Sequence, residues 1–360
     1  MKSLVFAIAP VLVLAACATG NTTTSGTGGE GGDTGAGGGT AGSTTTTGPT
    51  GGTGTGGSLI GGGMTGGAPP DTPPTFYIHT NTTLYTADPS KPNLDITLVG
   101  DVECIGGAGE DTSLTDIAVS AAGDLWGISK TNVYKLEVQG STVKCTQTIP
   151  LQNPSSIRFY GLTFAPKGVL DPNKEVLIAG NTAGELWRVD ESGALSMHGT
   201  LGVVPTTDGN GHDYPYAGKK WELSGDLVFV DNNGNPAGFA TVRDCPNPPS
   251  TVDCHDIDTL VELNVPKLAT ATTESVVKSL RGQIVKAAGC SDPNPGYGAV
   301  FGITAWKDKV FGFSRSPDNT GFTLSIENDK GTACVLGTFA EPWSGAGVTT
   351  IAQIDIPPAK

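Results

Sequence analysis

Charge is scarce in this chain, and positive charge scarcest. Of 360 residues only 16% are charged, with Lys+Arg 21 against Asp+Glu 35 and a formal net charge of −14. A nucleic-acid binder needs a basic face to neutralise phosphates, so that class is excluded. Outside the Gly-rich N-terminal region there is no G-x-S-x-G, H-E-x-x-H, Walker or dinucleotide pattern, and no cofactor is called for. The seven cysteines include no C-x2-C pair, which removes a thiolate metal site and leaves a thiol nucleophile without support. Helical periodicity is nearly absent, its best stretch being 275–285. No apolar run reaches the roughly 20 residues that cross a bilayer.

The longest apolar run is Leu4 to Ala16, preceded by Lys2 and ending in small residues before a cysteine. This is the pattern of an export signal rather than a permanent span. Leu14-Ala15-Ala16-Cys17 resembles the lipobox of bacterial lipoproteins. That resemblance implies cleavage of residues 1–16, a diacylglycerol on the Cys17 sulfur and acylation of the new amino group. Several buried acyl chains, at about 0.8 kcal/mol per CH2, anchor a protein stably where one would not. Ala18 stands where enterobacterial lipoproteins carry the Asp of inner-membrane retention, so the resemblance implies the outer membrane, facing the periplasm or the cell surface.

Between Ala18 and Pro74, 22 of 57 residues are Gly and 16 are Thr, and only Glu30, Asp33 and Asp71 are charged. Such a segment cannot bury enough apolar surface to offset its ordering entropy, so residues 17–74 are expected to be a disordered tether. As a flexible coil it spans roughly 40 Å. The Pro-rich stretch 68–74 marks the boundary with a folded domain over 75–360.

Past Thr75 the chain turns to short alternating apolar runs separated by Gly, Asn, Asp and Pro, the texture of an all-β domain. A four-strand unit recurs, with opening strands near residues 116, 161, 226, 301 and 347. The last opening strand, GAGVTTIAQI (345–354), lacks its partners, whereas TFYIHT, TLYTADP and DITLVGD at the start of the domain lack an opener. Pairing them closes a ring of five four-stranded blades, a β-propeller without exposed sheet edges. Splitting the long third unit would give six blades, and a pair of β-sandwiches is a further alternative. Strings such as DIAVSAAGDLWGIS (116–129) and LYTADP (84–89) resemble the NHL, YVTN and gluconolactonase-type β-propellers. With the lipobox and tether, the whole chain resembles propeller lipoproteins of myxobacterial type. The resemblance implies architecture and location, and no reaction.

Apart from Cys17, six cysteines remain, an even number that in an oxidising compartment reads as three disulfides. Fifteen pairings are possible. The strand map favours Cys245 with Cys254, which flank one Pro-rich hairpin loop, then Cys104 with Cys145 and Cys290 with Cys334. For chemistry the first place to look is the loop from Val203 to Lys220, where Asp208, His212 and Asp213 have the donor types of a metal site or an acid–base pair. Turn residues bonded to local backbone are the simpler account. Asp231, Asn233 and Asn235 alternate like a calcium loop, but Pro236 replaces its Gly and Val242 its Glu, so a hairpin turn is expected. His79, His198 and His255 are isolated and read as packed or surface residues.

Two functions from different classes remain. One is a binding or scaffold module for a protein or glycan partner, membrane-bound only through its lipid. The other is a metal-dependent hydrolase of lactonase type, which would need acidic ligands on the innermost strands; Asp116 and Asp226 start such strands but complete no set. Insertions at 203–223, 244–257 and 283–299 all fall on one rim of the expected propeller, which makes that rim the expected binding face. Tyr214, Tyr216, Trp221 and Tyr297 are its expected aromatic contacts.

Overall fold

The computed structural model describes residues 72–152, 158–249 and 254–358. Cys17 and nearly all of the expected tether lie outside the described residues. Those that are described form an all-β propeller of five four-stranded antiparallel blades. The domain opens with β1 (Phe76–His79), β2 (Thr83–Ala87) and β3 (Thr97–Val102). Blade 1 follows as β4 (Leu114–Val119), β5 (Leu125–Ser129), β6 (Asn132–Gln139) and β7 (Thr142–Pro150). Blade 2 is β8 (Phe159–Ala165), β9 (Val176–Asn181), β10 (Glu185–Val189) and β11 (Leu195–Thr200). Blade 3 is β12 (Trp221–Asn232), β13 (Asn235–Asp244), β14 (Thr259–Leu263) and β15 (Val277–Gln283). Blade 4 is β16 (Val300–Trp306), β17 (Lys309–Arg315), β18 (Gly321–Glu327) and β19 (Ala333–Phe339).

Blade 5 is shared between the chain ends. Its innermost strand, β20 (Gly345–Gly347), pairs antiparallel with β1, Ile78 standing opposite Ala346. Closure is thus of the expected kind, but the closing strand is three residues long, and 348–358 leave the blade. This tail forms parallel bridges with three other blades, Thr349 to Val119, Gln353 to Asp231 and Ile354 to Lys307. The seam between blades 5 and 1 is doubly held: β3 pairs parallel with β7, and Cys104 after β3 is disulfide-bonded to Cys145 on β7. Cys245–Cys254 and Cys290–Cys334 are bonded as well. Three disulfides belong to an oxidising compartment, extracellular or periplasmic.

Apolar cores lie between successive blades. Leu223, Phe229 and Val261 of blade 3 pack against Ile178 and Leu186 of blade 2, and Phe76 of blade 5 against Phe311 of blade 4, ring centroids 5.2 Å apart. Since each innermost strand has a blade on either side, β4 is buried along its whole length. The stretch 275–285 is strand β15 rather than helix, because pairing with β14 outweighs a weak local pattern; the helical turn is the 3-10 segment Val265–Ala269. Asn233-Gly234 makes a two-residue hairpin turn with both φ positive, 52° and 85°. Asp231 caps it by accepting from the Gly234 N–H at 2.6 Å.

Candidate functional site

The innermost strands share a local device at the rim where they start, here the entry rim. Their pairing shifts register between Leu114 and Asp116, Phe159 and Gly161, Leu223 and Leu227, and Val300 and Gly302. A register shift leaves N–H groups without a ladder partner, and buried carboxylates take them. Asp116 Oδ2 accepts from the Leu162 N–H of blade 2. Asp226 Oδ2 accepts from Ile303 of blade 4 at 2.7 Å, and its Oδ1 from its own neighbour Leu227 at 2.5 Å. These two aspartates therefore brace adjacent blades, 1 to 2 and 3 to 4. Burial and the partner's charge push Asp116 well above the usual carboxylate range, and burial does the same to Asp226. His79 lies beside them, its Nε2 3.9 Å from Asp116 Oδ1, with burial lowering its pKa to about 4, so the ring is neutral.

The expected binding residues are divided by the structure. Asp208 and His212 do pair, Oδ2 to Nδ1 at 2.7 Å, but Asp208 is buried and also accepts from the N–H groups of Asn210, His212 and Gln283. Burial works to raise the Asp208 carboxyl, yet those hydrogen bonds hold it below its usual range. It is an organiser of its loop. Asp213 is exposed, its carbonyl accepting from Gln283 Nε2 at 3.2 Å.

Tyr214, Trp221 and Tyr297 are a correction: expected as exposed contacts, they are buried, with 4%, 2% and 5% of their surface accessible. The loop folds back on blade 3, where Tyr214 meets Trp221 edge to face at 5.1 Å and its hydroxyl bonds Thr259 Oγ1 at 2.9 Å. An aromatic ring with a hydroxyl partner gains more from that burial than from exposure. Tyr216 remains half-buried, its N–H donating to Asp244 Oδ2 at 3.1 Å.

The three long insertions do share the entry rim, and two of them line a cleft of about 710 Å³ between blades 3 and 4. Arg243 and the 254–258 segment form one wall; Tyr297 to Phe301 and Arg315 to Asn319 form the other. His255 is oriented by Asp244, Nδ1 to Oδ1 at 3.0 Å, and that hydrogen bond raises its pKa. Arg243 Nη2 reaches buried Glu222 at 3.0 Å. Arg315 stacks on Phe301, 4.8 Å from the ring centroid, and has no ion-pair partner among the described residues. Asp258 accepts from Ser224 Oγ at 2.7 Å and the Val300 N–H at 2.8 Å, and burial lifts its carboxyl to about 6. A second cavity of about 710 Å³, against blades 1 and 2, carries the exposed Lys174–Glu191 pair and no comparable convergence.

Arg243, Asp244, Asp258 and Arg315 were missed as site residues in the sequence, and His255 was read as isolated. One signal was available: the chain has five arginines, and two of them line this cleft.

Asp258 makes the domain pH-sensitive. Its carboxyl ionises at 3.8 when unfolded and at about 6 when folded, so the folded state keeps a proton that the unfolded state has released. That contribution is whole below pH 3.8 and is lost as pH rises through 6, ~3 kcal/mol in all. In Asp258→Asn, whose amide still accepts from Val300 and donates to Ser224, the fall in stability between pH 4 and 7 should be smaller than wild type by about that amount. Parallel urea-unfolding curves for the two proteins would show the carboxyl to be unperturbed.

No family model matches the chain, and no curated protein matches it in sequence. Solved structures are similar to it in fold. The C-terminal domain of PilY1 from Pseudomonas aeruginosa is 11% identical over 72% of this chain and 68% of its own, with a TM-score of 0.31. A protein of unknown function from Bacteroides caccae is 10% identical over 77% of this chain and 99% of its own, TM-score 0.33. A "putative 6-phosphogluconolactonase" from Bacteroides fragilis is 9% identical over 74% and 82%, TM-score 0.32.

Proposed function

We propose that this chain is a lipid-anchored binding module of the cell envelope that takes its ligand in the entry-rim cleft between blades 3 and 4. The observation that carries the reading is the convergence there of polar groups with hydrogen-bonding capacity left over, held on loops that disulfides restrain. Cys254 is part of the cleft wall, and Cys290 lies in the link that supplies the other wall. A site stiffened before binding loses less entropy when it binds. The lipobox and the tether supply the anchor and the reach.

The lactonase-type alternative draws less support. Its metal would need several oxygens on the innermost strands, and Asp116 Oδ2 and both Asp226 oxygens are committed to N–H groups of blades 2, 3 and 4, which leaves only Asp116 Oδ1 of this pair without a hydrogen bond.

The experiment has two arms. Full-length protein expressed in a Gram-negative host should partition into detergent, and Cys17→Ser should abolish both partitioning and signal cleavage before that residue. Ligand found by glycan array or whole-cell crosslinking should protect the backbone amides of 254–258, 296–301 and 314–319 from hydrogen exchange. Protection confined to the opposite rim would show the face to be wrong, and unchanged membrane association of Cys17→Ser would remove the anchor.

A further inference from the structure

The cleft is lined by two arginines, and among the described residues only one of them has an ion-pair partner. Arg243 is matched by Glu222 and His255 by Asp244. Asp258 lies fully buried behind the wall, and both its oxygens are engaged by Ser224 and Val300. Arg315 is a half-buried guanidinium on the face of Phe301, with no ion-pair or side-chain hydrogen-bond partner among the described residues. An arginine held on an aromatic ring keeps the edges of its fork available for a planar acceptor. A second donor is unspent, because Arg243 Nε is buried without a hydrogen-bond partner while Nη2 is fixed by Glu222. In a protein of net charge −14, a half-buried guanidinium without an ion-pair partner among the described residues stands out, and desolvating it without a partner is costly.

We propose that the cleft binds a carboxylated sugar, with Arg315 holding the carboxylate. This rests on the reading of the cleft as the binding site. A monoanion matches the single unpaired guanidinium, and exposed Asp256 at the mouth repels it less than it would a phosphate dianion, which would also leave one charge unmatched. The remaining wall suits a sugar ring. Exposed Asn294 and Asn319 offer amides to hydroxyl groups, and half-buried Phe322 offers an apolar face. A volume of about 710 Å³ lies within the range that encloses a small ligand almost wholly.

The test uses calorimetric titration of the mature full chain with methyl galactosiduronic acid, a monoanion, and with its methyl ester, which keeps the ring and hydroxyls and removes the charge. The acid should bind about tenfold or more tightly than the ester, the range of a charge-assisted hydrogen bond. Arg315→Gln should erase that preference, and Arg315→Lys, which keeps the charge but loses the fork, should restore only part of it. The two variants are compared at matched melting temperature and circular dichroism, so that a folding defect is not read as a binding one. Equal binding of acid and ester, or an acid preference that survives Arg315→Gln, overturns the proposal. If neither probe binds while another ligand protects the cleft from hydrogen exchange, the ligand class is wrong and the binding site stands. If the acid binds with protection elsewhere, both fail.

Discussion

Ending the chain after Ser344 should leave no cooperative unfolding transition at 25 °C. The fourteen residues from Gly345 to Pro358 include β20, the one strand that joins the start of the domain to its end. Without it β1 becomes an open edge, and the buried group of His79 and Asp116 is uncovered, since the Gly345 backbone packs directly against both. Ending the chain after Gly347 keeps β20 and removes only the tail, and should be milder. That tail buries Val348 and Ile354, and it exchanges backbone hydrogen bonds with Asp231 and Lys307: Asp231 N to Ala352 O at 3.0 Å, Ile354 N to Asp231 O at 2.9 Å and Lys307 N to Gln353 O at 2.8 Å. Against the entropy of ordering the tail, a net loss of several kcal/mol is expected, lowering the melting temperature by ~5–10 °C. Calorimetric scans of the two truncations decide the matter. A sharp transition in the shorter protein would mean that four blades hold together without closure.

Gly225→Ala should cost ~3 kcal/mol or more, and Gly161→Ala distinctly less. Both glycines lie at the register shift of an innermost strand, where neighbouring blades approach most closely. A Cβ on Gly225 would overlap the Phe301 Cα and stand 2.5 Å from the Val300 carbonyl oxygen, both backbone atoms of blade 4. Relief requires the two blades to separate. A Cβ on Gly161 would meet mainly the terminal methyls of Leu227 and Leu223, which can rotate. Overpacking of the second kind costs about 1–3 kcal/mol. Chemical denaturation of both variants measures the difference, and equal losses would show that backbone approach does not control spacing at the hub.

The propeller was legible in the sequence because its information is local. Alternation with period 2, the Asn233-Gly234 turn and the order of four strands per unit are properties of neighbouring residues, and the unpaired strands at 75–101 and near 345 specify closure by themselves. The cysteine pairs follow from the same map, each pair falling on one seam or one loop. The tail from 348 onward was not legible as a tail. ValThrThrIleAlaGlnIle alternates like a strand, and only its position beneath the completed ring decides that it runs across blades 1, 3 and 4.

The site divides along the same line. The rim was determined by strand order, because inter-blade links and the links between second and third strands must emerge together. Which side chains face ligand was decided by packing. Tyr214, Trp221 and Tyr297 sit in loops, where exposure is the default expectation, yet blade 3 and its neighbour cover them. Arg243 and Arg315 carry no shared pattern in the sequence; they line one cleft because β13 and β17 end at the same rim of successive blades. Local alternation decides which residues become strands. The unmatched charge of Arg315 exists only once the blades are packed, when Glu222 and Asp244 are found already committed to Arg243 and His255.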